Sequence, residues 1–233
     1  MKRLLTAMTM ALMGVLVATA ALAAPPTTDL MGQSWRAYNR VFTPSLWDIN
    51  KVKLSNGGLV IPIQEFGTTT TGSFAVYLLN NYNVDLTGMT LTADLSWTAG
   101  TYRTRGAAAS GAYVRFEFQD VTAGPYDSND YWWSTGANSL DLNAATVGEL
   151  SVSLTDCNLW SNQSGKSACD TTEDWLQWQG DIVHQSPAAG FAEAMKDVKQ
   201  LGLSFGNVSA YASGIALVGA TGTFTVSSFD VTP

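Results

Sequence analysis

This chain is poor in the residues that most enzyme chemistry uses. It holds one histidine, His184, which sits in IVHQSP with no acid or nucleophile beside it. Gly-x-Ser-x-Gly and His-Glu-x-x-His are both missing, so neither a nucleophile elbow nor a zincin site is written in the sequence. Basic residues are scarce as well, with twelve Lys and Arg against nineteen Asp and Glu and a net charge of −7. They form no run longer than a pair, whereas a phosphate-tracking surface needs a clustered positive stripe. Nucleic acid and anionic membranes are therefore not expected partners. The two cysteines, Cys157 and Cys169, are too few for a thiolate metal centre and too far apart for a Cys-x-x-Cys redox pair.

The first residues carry an address. Lys2 and Arg3 precede an uncharged apolar run, and Ala21-Leu22-Ala23 supplies the small-x-small pattern of a cleavage site. We read residues 1–23 as a signal peptide and expect a secreted, periplasmic or cell-surface protein, with no membrane span in the mature chain. Loss of Lys2 and Arg3 leaves ten bases against nineteen acids, a net charge of −9. In an exported chain Cys157 and Cys169 are expected to pair, closing a short polar loop.

What remains reads as all-β. Residues 201–231 fall into three runs rich in β-favouring residues, separated by Gly206-Asn207 and by a turn at 219–222. In the last run Phe224, Val226 and Phe229 are the inward candidates. Residues 89–97 alternate, with Met89, Leu91, Ala93, Leu95 and Trp97 on one face. So do residues 113–119, where Val114, Phe116 and Phe118 oppose Tyr113, Arg115, Glu117 and Gln119. That polar face is either solvated or the concave face of a binding site. Residues 188–200 carry the helical spacing of Phe191, Ala194, Met195 and Val198. The expectation is a two-sheet antiparallel sandwich over 58–233 with one short helix. Residues 24–57 are expected to be a partly irregular segment laid over it, its aromatics filling the edge of the core.

Two groups of residues invite a ligand. Asp120, Asp127, Asn129 and Asp130 are oxygen donors crowded into one loop, which suits Ca²⁺. Asp230 in the final strand is a further candidate ligand. Asp and Asn also cap turns with no ion present, and the sequence leaves that reading open. The eight tryptophans are the second group, because sugar rings stack an apolar face on flat side chains while amides and carboxylates take the hydroxyls. Trp132, Trp133, Trp160, Trp175 and Trp178 are candidates, with Tyr126 and Tyr131 behind them. Adjacent on a strand, Trp132 and Trp133 must point to opposite faces, so one of them belongs to the core. Completion of the core is the rival reading for each ring.

The ordered features VRFEF, DYWWS, the small apolar strand leading into Leu159-Trp160-Ser161, the amphipathic helix, LGLSFG and the closing TGTFTVSSFDV give a resemblance. Over residues 58–231 the chain resembles jelly-roll sandwich modules of secreted bacterial proteins, similar to galactose-binding-like and other carbohydrate-binding modules. The resemblance implies two antiparallel sheets, a glycan ligand and a structural calcium ion away from the ligand face, with an acidic ligand from the closing strand that would match Asp230. The expected function is non-catalytic binding of a glycan or cell-surface polysaccharide through Trp133, Trp160, Trp175, Trp178 and Tyr126, with Asp127, Asp130 and Asp230 as metal ligands. One rival is a structural surface or matrix protein that self-associates. The other is a polysaccharide-cleaving enzyme, which needs two carboxylates facing across a cleft.

Overall fold

Strand alternation decides the architecture. The computed structural model describes residues 28–233 except 43–44, 53, 56, 68–72, 106–110, 122–126, 179–180 and 209–210. The expected signal peptide, 1–23, lies outside the described residues. Strands run in chain order as β1 (Thr28–Asp29), β2 (Trp35–Phe42), β3 (Ser45–Val52), β4 (Leu54–Ser55), β5 (Gly58–Ile63), β6 (Ser73–Val84), β7 (Thr90–Trp97), β8 (Tyr102–Thr104) and β9 (Tyr113–Gln119). They continue as β10 (Tyr131–Ser134), β11 (Ser139–Asp141), β12 (Val147–Ser153), β13 (Trp160–Asn162), β14 (Asp174–Trp178), β15 (Asp181–Gln185), β16 (Val198–Gly206), β17 (Ile215–Leu217) and β18 (Gly222–Thr232).

Six of these form one antiparallel sheet in the order β12-β7-β18-β5-β4, with β1 also on β18. Ten form the other, β13-β10-β9-β16-β6-β17-β8, with β11 on β9 and the pair β2–β3 joined through β6. Strands β14 and β15 make a separate hairpin. Apolar faces of the two large sheets meet in one core, as expected of an all-β sandwich. Aromatic rings cross between the layers: Phe229 lies 5.1 Å from Trp35 and 5.4 Å from Phe116, and Phe224 lies 4.9 Å from Phe205.

Strand β18 shows why its inward residues are not evenly spaced. Phe224 and Val226 are two apart, but Phe229 follows at three. The register on β7 shifts between Val226 and Ser228, a bulge that restores the inward face for Phe229 and Val231. Phe224, Val226 and Phe229 are all fully buried.

One expectation gains detail and another needs correction. Within the partly irregular segment expected over 24–57, the described residues include two regular strands, β2 and β3, which belong to the ten-stranded sheet and run in register from Trp35↔Val52 to Phe42↔Ser45. The helix is shorter than expected. It covers Pro187–Ala194 (α1), continues as a 3-10 turn over Met195–Asp197, and Val198 already begins β16. The Ser186 hydroxyl accepts from the Ala189 N–H and Pro187 stands at the first turn, which together set its start. Its Phe191 closes one side of the core against Trp132, Phe118 and Trp160 at 4.9, 5.8 and 6.0 Å. Cys157 and Cys169 are bonded, as expected. Among the described residues no helix is long and apolar enough to cross a membrane.

Because Phe229 is the ring shared by both sheets, Phe229→Ala is expected to cost about 3–5 kcal/mol. Urea denaturation of the two chains measures it. A loss below about 1 kcal/mol would mean that the layers are held elsewhere.

Candidate functional site

Strand β9 has both faces buried. Val114, Phe116 and Phe118 enter the core, and Arg115, Glu117 and Gln119 point to the opposite side of the ten-stranded sheet. Registers across the neighbouring strands arrange that second side in rows. One row runs Tyr131, Gln119, Gln200, Asn81 over β10, β9, β16 and β6. The next runs Trp133, Glu117, Gly202, Leu79, Arg36, Lys51 and ends on β3. A third runs Arg115, Ser204, Tyr77, Tyr38, Ile49 and ends on β3. Arg40 and Trp47 face each other beyond it on β2 and β3. Together these rows line a groove of about 880 Å³, within the range of small-molecule and cofactor sites.

The groove has an aromatic wall and a polar floor. The Trp47 ring, 46 % exposed, stacks on Tyr77 at 6.1 Å and 22°, with Tyr38 edge-on to both at 6.5 and 6.3 Å. Arg40 places its guanidinium 5.1 Å from the Trp47 ring centre. Along the amide row Gln119 Nε2 donates to Gln200 Oε1, and Gln200 Nε2 donates to Asn81 Oδ1 at 2.9 Å. This ladder holds the amides in line and leaves further donor and acceptor positions for a ligand.

Glu117 is the anomaly of the floor. It is 0 % exposed, and neither carboxyl oxygen has a hydrogen-bond partner. Its neighbours all turn elsewhere. Arg115 Nη1 donates to the Asn207 carbonyl at 2.9 Å and its guanidinium lies over Tyr211 at 4.5 Å, while Gln119 is engaged with Gln200. Gly202 offers no side chain at all, and a Cβ there would fall 2.1 Å from the Leu78 carbonyl oxygen. Burial pushes the Glu117 carboxyl well above its ordinary value, because an apolar surround penalises the charged form. The same burial, then Glu117 and Tyr131, raise Tyr77. Beside Glu117, the Trp133 ring is 2 % exposed and its Nε1 also lacks a partner. It lies stacked on Tyr131 at 6.0 Å and against Tyr211 at 5.9 Å.

The tryptophan candidates divide. Trp132 is in the core, its Nε1 donating to the Asn129 carbonyl at 2.6 Å, and Trp133 is on the opposite, groove-bearing side, as adjacency on a strand requires. Trp160 is fully buried among Phe118 and Phe191 with its Nε1 on the Ser153 carbonyl, so it packs the core and offers no ligand surface. Trp175 and Trp178 belong to the β14–β15 hairpin, opposite His184 and Asp181, and their side chains lie outside the described residues. Tyr126 lies outside them too. The groove's own ring, Trp47, had been assigned to the edge of the core. Its signal was the alternation Arg36-x-Tyr38-x-Arg40 followed by Trp47-x-Ile49.

The acidic loop folds around its own backbone. Asp127 Oδ1 accepts from the Asn129 N–H and Asp130 Oδ2 from the Asp127 N–H, both at 2.6 Å, which is turn capping. Asp120, Asp127 and Asp130 do meet at a cavity of about 250 Å³ with Gln185 and Glu193. Burial first, then the Asp130, Asp127 and Glu193 carboxylates, push Asp120 up to about 7. Asp230 lies on the other sheet, where burial and then Asp29 and Asp94 raise it. Asp127, Asp130 and Asp230 therefore do not form one ligand set. Among the described residues no group of three or more His, Cys, Asp or Glu is placed to hold a metal ion.

A carboxyl protonated in the folded chain but ionised in the unfolded one makes folding less favourable as pH rises. Asp120 acts from about pH 4 to about 7, and Glu117, whose carboxyl burial also raises, acts in the same direction. Stability is therefore expected to fall from pH 5 to pH 8. Glu117→Gln, neutral in both states, makes that fall shallower. Urea midpoints at the two pH values check this, and an identical decline in both chains would exclude Glu117 as a source.

No protein family matches the chain, and no curated protein matches it either.

Proposed function

We propose that the protein is exported and binds a glycan in the groove of its ten-stranded sheet without cleaving it. One observation carries this reading: an exposed tryptophan, Trp47, stacked on Tyr77 at one end of a groove whose other end is the four-residue polar row of Tyr131, Gln119, Gln200 and Asn81. A glycan chain uses a flat apolar platform for one ring and fixed amides for hydroxyls further along, and here the platform is solvent-accessible while the amides are held in line. Glu117 is the one carboxylate among the described residues that line the groove. Glycoside cleavage uses two, about 5–9 Å apart, and this supports binding over hydrolysis. Export rests on the N-terminal pattern of charge, apolar run and Ala-Leu-Ala.

The test is retention of the mature chain on a panel of insoluble polysaccharides and arrayed glycans, with and without Ca²⁺. Trp47→Ala is expected to weaken retention about tenfold or more, a loss of roughly 1.4 kcal/mol, with the fold intact by circular dichroism. Trp47 stands on an edge strand and is half exposed, so its truncation removes the platform and leaves the core alone. Unchanged retention in Trp47→Ala would move the site away from the groove. Release of new reducing ends would overturn the non-catalytic part of the reading.

A further inference from the structure

The charge inside the groove runs against the charge of the chain. Acids outnumber bases nineteen to twelve overall. Yet the groove is lined by two arginines, Arg36 and Arg40, and by one acid, Glu117. Both arginines stand on β2 with Tyr38 between them, which alternation places on one side of the strand. Glu117 is sealed at 0 % exposure with neither oxygen engaged by a cation or an N–H. The lining that a ligand meets therefore carries more bases than exposed acids, in a chain whose overall charge is negative.

We propose that the groove takes an acidic polysaccharide, carboxylated or sulfated, whose anionic groups are held by Arg36 and Arg40. This deepens the glycan reading and rests on it. The Arg40 guanidinium lies 5.1 Å from the centre of the Trp47 ring, so platform and cation are neighbours. A sugar stacked on Trp47 brings a carboxylate or sulfate substituent within reach of Arg40. Guanidinium suits that task because its planar fork matches a carboxylate or sulfate two bonds at a time. Glu117, sealed beneath the surface, places no exposed acid on the wall that the ligand meets. A neutral glycan offers these arginines hydroxyl acceptors only, whereas an acidic one adds charge-assisted bonds.

The experiment is affinity electrophoresis of the mature chain in gels containing polygalacturonate, dextran sulfate or unmodified dextran. Retardation by at least one acidic polymer is expected at a concentration about tenfold or more below that needed for dextran. The two acidic gels distinguish the carboxylated from the sulfated ligand. Raising salt from about 50 to 500 mM should release the acidic polymer. Arg36→Gln and Arg40→Gln should each raise the required concentration several-fold, and Arg36→Lys, which keeps the charge, should lose less than Arg36→Gln. Dextran binding as tight as that of both acidic polymers, and unaltered in the arginine variants, would overturn the acidic ligand and leave the glycan reading in place. No retardation by any polymer here, together with no retention on the wider glycan panel, would overturn both.

Discussion

Everything in this molecule hangs on a strand that has no free face. Strand β9 sends Phe116 against Phe229 and so ties the two sheets together, while its other side supplies Glu117 and Gln119 to the floor of the groove. Such a strand cannot slip. A one-residue shift would drive Arg115 and Glu117 into the apolar core and turn the phenylalanines outward. The stability of the sandwich and the position of the polar floor are thus one constraint. An unpartnered carboxyl is tolerable there because the surrounding layers over-determine its place, and because burial favours its neutral form over the charged one.

The groove is made by extending that sheet. Strands β2 and β3 add a row of side chains beyond β6, and with them come the arginines, Tyr38 and the exposed Trp47. Without this pair the floor would have no wall. Tyr211 covers buried residues outside the groove. It lies over Arg115 and Trp133, and its hydroxyl accepts a bond from the Ser161 hydroxyl at 3.2 Å. One side of the groove is therefore open and aromatic, while Tyr131, Val121, Gln163 and Ala212 complete its lining.

The core was legible in the sequence wherever alternation was clean. Leu91, Ala93, Leu95 and Trp97 on β7, and Val114, Phe116 and Phe118 on β9, are all buried as their spacing predicts. The opposite orientations of Trp132 and Trp133 followed from adjacency alone. The groove was only half legible. Arg115, Glu117 and Gln119 were readable as one polar face, but nothing local says whether such a face meets water or a wall, since the wall comes from residues about eighty positions earlier. Arg36 and Arg40 escaped notice for a related reason. A search for runs of bases misses a pair separated by tyrosine and two small or polar residues, whereas a strand brings positions 36, 38 and 40 onto one side. Inner positions Ala37 and Asn39 are not bulky enough to announce that strand. Trp160 was misread in the opposite direction, because aromatic richness cannot separate a platform from a core ring without a partner to bury it.

The most direct test of the groove as the binding site is residue-resolved. Backbone amide signals of the mature chain would be followed by NMR during titration with an acidic oligosaccharide. Shifts concentrated on β2, β3 and the outward positions of β6, β9 and β16 are the predicted result. Shifts confined to the β14–β15 hairpin or to the acidic loop before β10, with the groove strands silent, would contradict the account.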